Sequence, residues 1–177
     1  MKGSSKRLTL IPTLFKYSNA MAKEIELKLK EGDEAPTFTA NANGGGRISL
    51  ADFKGKNVIL YFYPRDDTPG CTKEACAFRD HFAEFKQKGA VVLGVSVDAV
   101  KAHDKFVEKY KLPFTLLADE DKKIVQAYDV WGEKSFLGKK YMGLHRVTFL
   151  IGPDGKIKKI WPRVKPEEHA EEVLTAL

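Results

Sequence analysis

Val58-Ile59-Leu60-Tyr61-Phe62-Tyr63-Pro64-Arg65-Asp66-Asp67-Thr68-Pro69-Gly70-Cys71-Thr72-Lys73-Glu74-Ala75-Cys76 is the stretch from which this chain is read. Its first six residues are all apolar or aromatic, with β-branched side chains among them, and predict a buried strand. Pro64 ends that strand, and Pro69-Gly70 turns the chain into a helix. Ala75, Phe78, Phe82 and Phe85 recur at helical spacing, and Gly89 is placed to stop the helix. Cys71 therefore falls in the first helical turn. Amide groups without intrahelical partners and the helix dipole both favour negative charge there, and the thiolate is the reactive form of cysteine. A cysteine at a helix start can equally be an inert buried thiol, so position alone leaves both readings open.

The pattern extends outward from this point. Val91–Val97 predicts a second buried strand, and Asp98 is placed to cap a helix with Val100, Phe106, Val107 and Tyr110 on its inner side. Leu116-Leu117-Ala118 is a short strand, and Asp119 precedes a helix carrying Ile124, Val125 and Tyr128. Val147–Ile151, Gly152-Pro153-Asp154-Gly155 and Lys156–Trp161 make a hairpin signal. Pro166 can begin a last helix, with Ala170, Val173, Leu174 and Leu177 as its apolar stripe. Gly44-Gly45-Gly46 reads as a loop between short strands and not as a phosphate loop, because no Lys-Ser/Thr pair follows. Strands alternating with helices, then a hairpin and a helix, predict an α/β protein. Its central mixed sheet would be flanked by helices in a thioredoxin-like arrangement, with an extra N-terminal segment and an inserted helix.

Length and composition bound the rest. A chain of 177 residues fits one domain, expected over 25–177, preceded by a basic N-terminal extension over 1–24. No apolar run approaches the ~20 residues that span a bilayer, so no membrane association is expected. The formal charge is +6, but Lys2, Lys6, Arg7 and Lys16 of the acid-free leader account for four of the 30 basic residues, leaving 26 against 24 acidic. Lys156, Lys158, Lys159, Arg163 and Lys165 form a basic cluster without any base-reading motif, which argues against nucleic acid. An acid-free leader with Ser4, Ser5 and Ser18 fits an organelle transit peptide. Its shortness and low arginine content favour an extension, or a true start at Met21, and a cytoplasmic protein. His81, His103, His145 and His169 show no metal-ligand spacing. Two cysteines five residues apart are too few and too close for a structural framework, and read as reduced thiols kept for chemistry.

The residues themselves carry a resemblance. Pro64-x-x-x-Thr68-x-x-Cys71 resembles the active-site signature of peroxiredoxins, and Thr68-Pro69-Gly70-Cys71-Thr72 with Ala75-Cys76 resembles the bacterioferritin-comigratory, or peroxiredoxin Q, branch. The likeness continues through Gly32–Pro36, Thr115–Asp119, Trp131-Gly132-Glu133-Lys134 and Gly143–Gly155, and covers essentially everything after residue 24. It implies a peroxidatic role for Cys71, whose thiolate would attack a peroxide and become a sulfenic acid. It also implies that Pro64 shields the sulfur from water. Thr68 Oγ and the Cys71 backbone N–H would then act as donors to the leaving oxygen, with Arg146 as a fixed positive charge beside the sulfur. Cys76 matches the resolving cysteine of one subgroup, forming a Cys71–Cys76 disulfide that thioredoxin or a similar dithiol reduces. The resemblance implies no metal, haem or flavin, and a monomer. Glu74 is read as favouring the first helical turn in preference to orienting Arg146. Trp131, Phe136 and Tyr141 are read as covering the core in preference to lining a pocket opposite Cys71.

Two other classes fit parts of the pattern. A thioredoxin-like disulfide oxidoreductase calls for Cys-x-x-Cys, whereas this chain has Cys-x-x-x-x-Cys. A non-enzymatic thioredoxin-fold binding module has no need of Thr68, Cys71 and Arg146 together.

Overall fold

The structure, a computed structural model, describes residues 25–177. The expected extension over 1–24 lies outside the described residues.

The buried strand expected at Val58 is β3 (Asn57–Phe62). It is an interior strand of a seven-stranded mixed sheet with β4 (Ala90–Ser96) parallel on one side and β8 (Val147–Ile151) antiparallel on the other. Beyond β4 the sheet continues through β5 (Thr115–Ala118), β1 (Thr39–Ala42) and β2 (Arg47–Ser49). Beyond β8 it ends with β9 (Ile157–Trp161). Side chains of β3 alternate between two cores, as the two-residue period of a strand requires. Val58, Leu60 and Phe62 face a layer that includes Ile124, Val125 and Tyr128. Ile59, Tyr61 and Tyr63 face a layer with Cys71, Ala75, Phe78, Phe106 and Val173. Both faces are thus covered, which is why β3 reads as an unbroken apolar run. Gly94 of β4 is opposite Tyr61 in register, and a Cβ there would come within 2.8 Å of the Tyr61 ring and hydroxyl. Its missing side chain is what lets Tyr61 stack on Tyr63 and Phe78.

The helices are α1 (Pro69–Asp80), α2 (Phe82–Gln87), α3 (Val100–Tyr110), α4 (Lys123–Ala127) and α5 (His169–Leu174). The periodicity from Ala75 to Phe85 predicts one helix, but two are found. The chain breaks at His81, whose ring meets Glu84 three residues on, and Gly89 closes α2 with φ +68°. Asp98 does not cap α3, which begins after Ala99 without a side-chain cap. The Asp98 carboxylate is turned the other way, accepting from Ser96 Oγ at 2.7 Å and from the Asp66 amide at 2.9 Å. Asp119 does hold the start of α4, accepting from the amides of Ile124 and Val125. Pro166 begins a turn, and α5 starts only at His169.

A second sheet, the hairpin of β6 (Trp131–Phe136) and β7 (Lys139–Leu144), stands apart from the main one. Trp131 packs against the core as expected, but Phe136 and Tyr141 are exposed and do not cover it. Among the described residues no helix is long and apolar enough to cross a membrane, and no group of three or more His, Cys, Asp or Glu is placed to hold a metal ion.

Candidate active site

Cys71 occupies the third position of α1, with Thr68 as N-cap and Pro69 at the first helical position, where a missing N–H costs nothing. The first bond of the helix runs from the Thr72 amide to the Thr68 carbonyl at 2.8 Å. The Gly70 and Cys71 amides precede it and belong to the helix-start group that lacks intrahelical partners. The Cys71 side chain is buried, packed with Tyr61, Ala75 and Phe78.

Arg146 reaches this sulfur from the start of β8, the strand beside β3. The antiparallel register puts Val147 opposite Phe62. The β7–β8 connection therefore emerges beside the strand end that delivers Pro64. Arg146 Nη2 donates to Cys71 Sγ at 3.2 Å, and Nη1 donates to Glu74 Oε2. Gly70 has a physical reason to lack a side chain, since a Cβ there would crowd Arg146 Nη2 at 3.3 Å.

Glu74 is completely buried. Burial outweighs the pull of Arg146 and raises its pKa from 4.5 to about 7. Burial also works against the charge on Arg146, but Glu74 and Cys71 together more than offset it, and its pKa lies above the ordinary arginine value. Glu74 thus orients the arginine, the role the sequence reading ranked second. Six residues past the cap it also sits beyond the first helical turn, too deep to complement the first-turn amides.

Of the other expected site residues, Pro64 is half-buried at the end of β3 and leads into the loop. Thr68 differs from expectation in one respect. Its Oγ donates to the Arg65 carbonyl at 2.9 Å. With its proton committed there, the hydroxyl offers lone pairs, and so is placed to accept a peroxide O–H in preference to donating to a leaving oxygen. Cys76 is half-buried two residues past Glu74, within the same unbroken α1, so the structure holds both thiols free and on one helix.

Sequence reading missed three neighbours. Lys134 of β6 donates to the Leu144 carbonyl at 3.0 Å. Burial lowers its pKa, as does Arg146, while Cys71 raises it. Tyr61 lies under the site with its pKa raised, by burial first and by Glu74 next. His103 is fully buried against Asp66. Only Lys134, inside the Trp131–Lys134 motif, had a signal that could have singled it out.

The geometry agrees with comparison to known proteins. The model of the AhpC/TSA family matches residues 31–160. The chain belongs to this family. Peroxiredoxin Bcp of Escherichia coli is 47% identical over 149 residues, 84% of this chain and 96% of that protein. Peroxiredoxin Bcp of Bacillus subtilis is 46% identical over 151 residues, 85% and 96% of the two chains. Among solved structures, Xylella fastidiosa PrxQ superposes with a TM-score of 0.79 at 38% identity, covering 83% of this chain and 94% of that one. Xanthomonas campestris peroxiredoxin Q gives 0.75 at 41%, covering 78% and 88%. The protein is a peroxiredoxin of the bacterioferritin-comigratory branch with a thioredoxin-like fold, and its activity is that of a thiol-dependent peroxidase.

Proposed function

We propose that Cys71 is the peroxidatic thiol and Cys76 the resolving one. The Cys71 thiolate attacks one oxygen of a hydroperoxide. The O–O bond breaks, the other oxygen leaves as water or an alcohol after taking a proton, and Cys71 becomes a sulfenic acid. The Cys76 thiol then displaces water from that sulfenic acid to give the Cys71–Cys76 disulfide. A dithiol protein of the thioredoxin kind reduces it, becoming a disulfide itself. The observation that carries the reading is the 3.2 Å contact of Arg146 Nη2 with Cys71 Sγ at the start of a helix. A guanidinium and free amides there stabilise the thiolate and the charge that develops on oxygen. Pro64 shields the sulfur, and the Thr68 hydroxyl accepts a hydrogen bond from the peroxide O–H. Hydrogen peroxide and organic hydroperoxides are both substrates in this reading. A solved structure of the Xanthomonas campestris bacterioferritin comigratory protein, 38% identical, concerns the alkyl peroxide reduction activity of that protein. The enzyme acts as a cytoplasmic monomer without metal, haem or flavin.

The test is peroxide consumption with and without thioredoxin and its reductase, on the parent and on Cys71→Ser. The parent consumes peroxide catalytically only with the reductant, and Cys71→Ser consumes none. Substantial consumption by Cys71→Ser removes Cys71 from the nucleophile's place.

A further inference from the structure

We infer that His103 is a positioning residue for peroxide attack, acting through Asp66 on the loop that carries Pro64 and Thr68. The inference rests on the roles proposed for those two residues. His103 lies on α3 and has no exposed surface. Its Nε2 donates to the Leu117 carbonyl of β5 at 3.0 Å, which fixes the ring. Its Nδ1 meets Asp66 Oδ2 at 2.7 Å, with a proton held between them. The other Asp66 oxygen accepts from the Tyr63 hydroxyl at 2.6 Å, and the Asp66 amide donates to Asp98 at 2.9 Å. Asp66 is thereby held at both carboxylate oxygens and at its backbone.

The next residue, Asp67, has φ 53°, in the left-handed region that side chains other than glycine's enter at a cost. Such a conformation persists only where its surroundings hold it. Lys109 Nζ and the Tyr110 hydroxyl, both from α3, donate to its carboxylate at 2.7 and 2.6 Å. Thr68 Oγ then closes the loop onto the Arg65 carbonyl. Three side chains of α3 therefore set the path of the chain from Pro64 to Thr68, and none of the three is hydrogen-bonded to Cys71. A histidine kept only for packing would be satisfied within its own layer. This one ties a sheet carbonyl to a loop carboxylate five residues before the reacting thiol, and a shape-matched apolar residue would leave the Leu117 carbonyl and Asp66 Oδ2 without it.

The experiment separates alignment from thiol reactivity. In a Cys76→Ser background, Cys71 is oxidised by hydrogen peroxide and, separately, alkylated by iodoacetamide, and both second-order rates are measured. Alkylation needs a thiolate and access. Peroxide attack also needs Pro64 and Thr68 in register, and misplacements of about 1 Å can cost as much as a hundredfold. His103→Gln and Asp66→Asn are each expected to slow peroxide attack about tenfold or more and to leave alkylation within about twofold. The double variant is expected to be no slower than the slower single, because both act on one link. Parallel loss of both rates, an unchanged peroxide rate, or additive losses in the double variant would each overturn the inference. Tyr63→Phe removes one bond to the same carboxylate and carries the test if His103→Gln does not fold. A parent chain that reacts with peroxide no faster than free cysteine does would instead overturn the proposed function, and the two failures are thereby distinguished.

Discussion

Residues 64–68 and residues 71–76 meet at one sulfur but are held in opposite ways. The loop is tied down by side-chain bonds to α3 and to the ends of the sheet strands, through Asp66, Asp67 and Asp98. The first turns of α1 are held by their own helical bonds, by Ala75 and Phe78 in the core, by the bonds of Arg146 to Glu74 and Cys71, and by an ion pair between the exposed side chains of Lys73 and Glu167. Surface pairs of that kind are screened by solvent and contribute little. In the proposed mechanism the part that aligns the peroxide is pinned by side chains from other elements, and the part that carries both thiols is the N-terminal half of one helix, held mainly by its own backbone bonds and by Arg146. The contrast follows from the chemistry, since attack requires fixed geometry and disulfide formation requires its loss.

The largest effect expected on that contrast comes from removing the second thiol. Cys76→Ser should react once with peroxide and then stall, so that thioredoxin-linked turnover is lost. Mass spectrometry after one equivalent of peroxide should show one added oxygen on Cys71. A variant that cycles with thioredoxin as fast as the parent would take Cys76 out of the reaction.

Next in size is the charge that meets the helix half at the sulfur. Arg146→Met removes the donor to Cys71 and leaves Glu74 without its partner. Loss of one preset donor in such sites costs about a hundredfold or more. Peroxide oxidation should slow by about that factor, and the ultraviolet absorbance of the thiolate at neutral pH should fall. If rate and absorbance are both unchanged, Arg146 does not act on the sulfur.

How much of this was legible in the sequence differs between the two halves. The helix half was readable because its signals are local. A buried strand, two prolines, a glycine and a cysteine in order place Cys71 within one turn of a helix start. Arg146 came from the motif around it. The loop's anchors were not legible, because Asp66 to His103 and Asp67 to Lys109 and Tyr110 span 37, 42 and 43 residues, and no periodicity reports such pairings. Asp98 misled for the same reason, since a favoured capping residue was drawn into the loop's network instead. The β6–β7 hairpin escaped notice because its strands are rich in lysine and glycine. Its turn, Leu137-Gly138, lacks the usual Asn-Gly signal although Leu137 has φ 48°.

The geometry of α1 sharpens the contrast further. Five residues of intact α-helix separate two positions by a rise of about 7.5 Å and a rotation of roughly 140°. Cα atoms that far apart, with side chains on different faces, exceed the ~7 Å reach of a disulfide. Oxidation must therefore open the first turns of α1. Hydrogen exchange on the reduced and peroxide-oxidised protein should quicken across residues 71–80 while residues 63–67 and α3 keep their protection, and circular dichroism should show less helix. Full protection of α1 in a protein shown to carry the Cys71–Cys76 bond would break the comparison, because the yielding half would then not yield.

The smallest expected effect on turnover belongs to Glu74, and its sign follows from its surroundings. Its pKa is raised from 4.5 to about 7, by burial against the opposing pull of Arg146. Below about pH 4.5 the carboxyl is neutral in the folded and unfolded chain alike, and its favourable contribution is complete. As pH rises toward 7 the unfolded chain gives up its proton while the folded one keeps it, so the folded state loses ground steadily. Above the folded value both are ionised and the loss is complete. A pKa difference of this size corresponds to about 3–4 kcal/mol at roughly 1.4 kcal/mol per unit. Glu74→Gln keeps an acceptor for Arg146 but has no proton to lose. Denaturant unfolding between about pH 4.5 and 7 should therefore show a shallower fall in stability for Glu74→Gln than for the parent, with the peroxide rate changed by about threefold or less. An identical slope in the two proteins would mean that Glu74 is ionised throughout, and that Arg146 outweighs burial inside the helix that has to open.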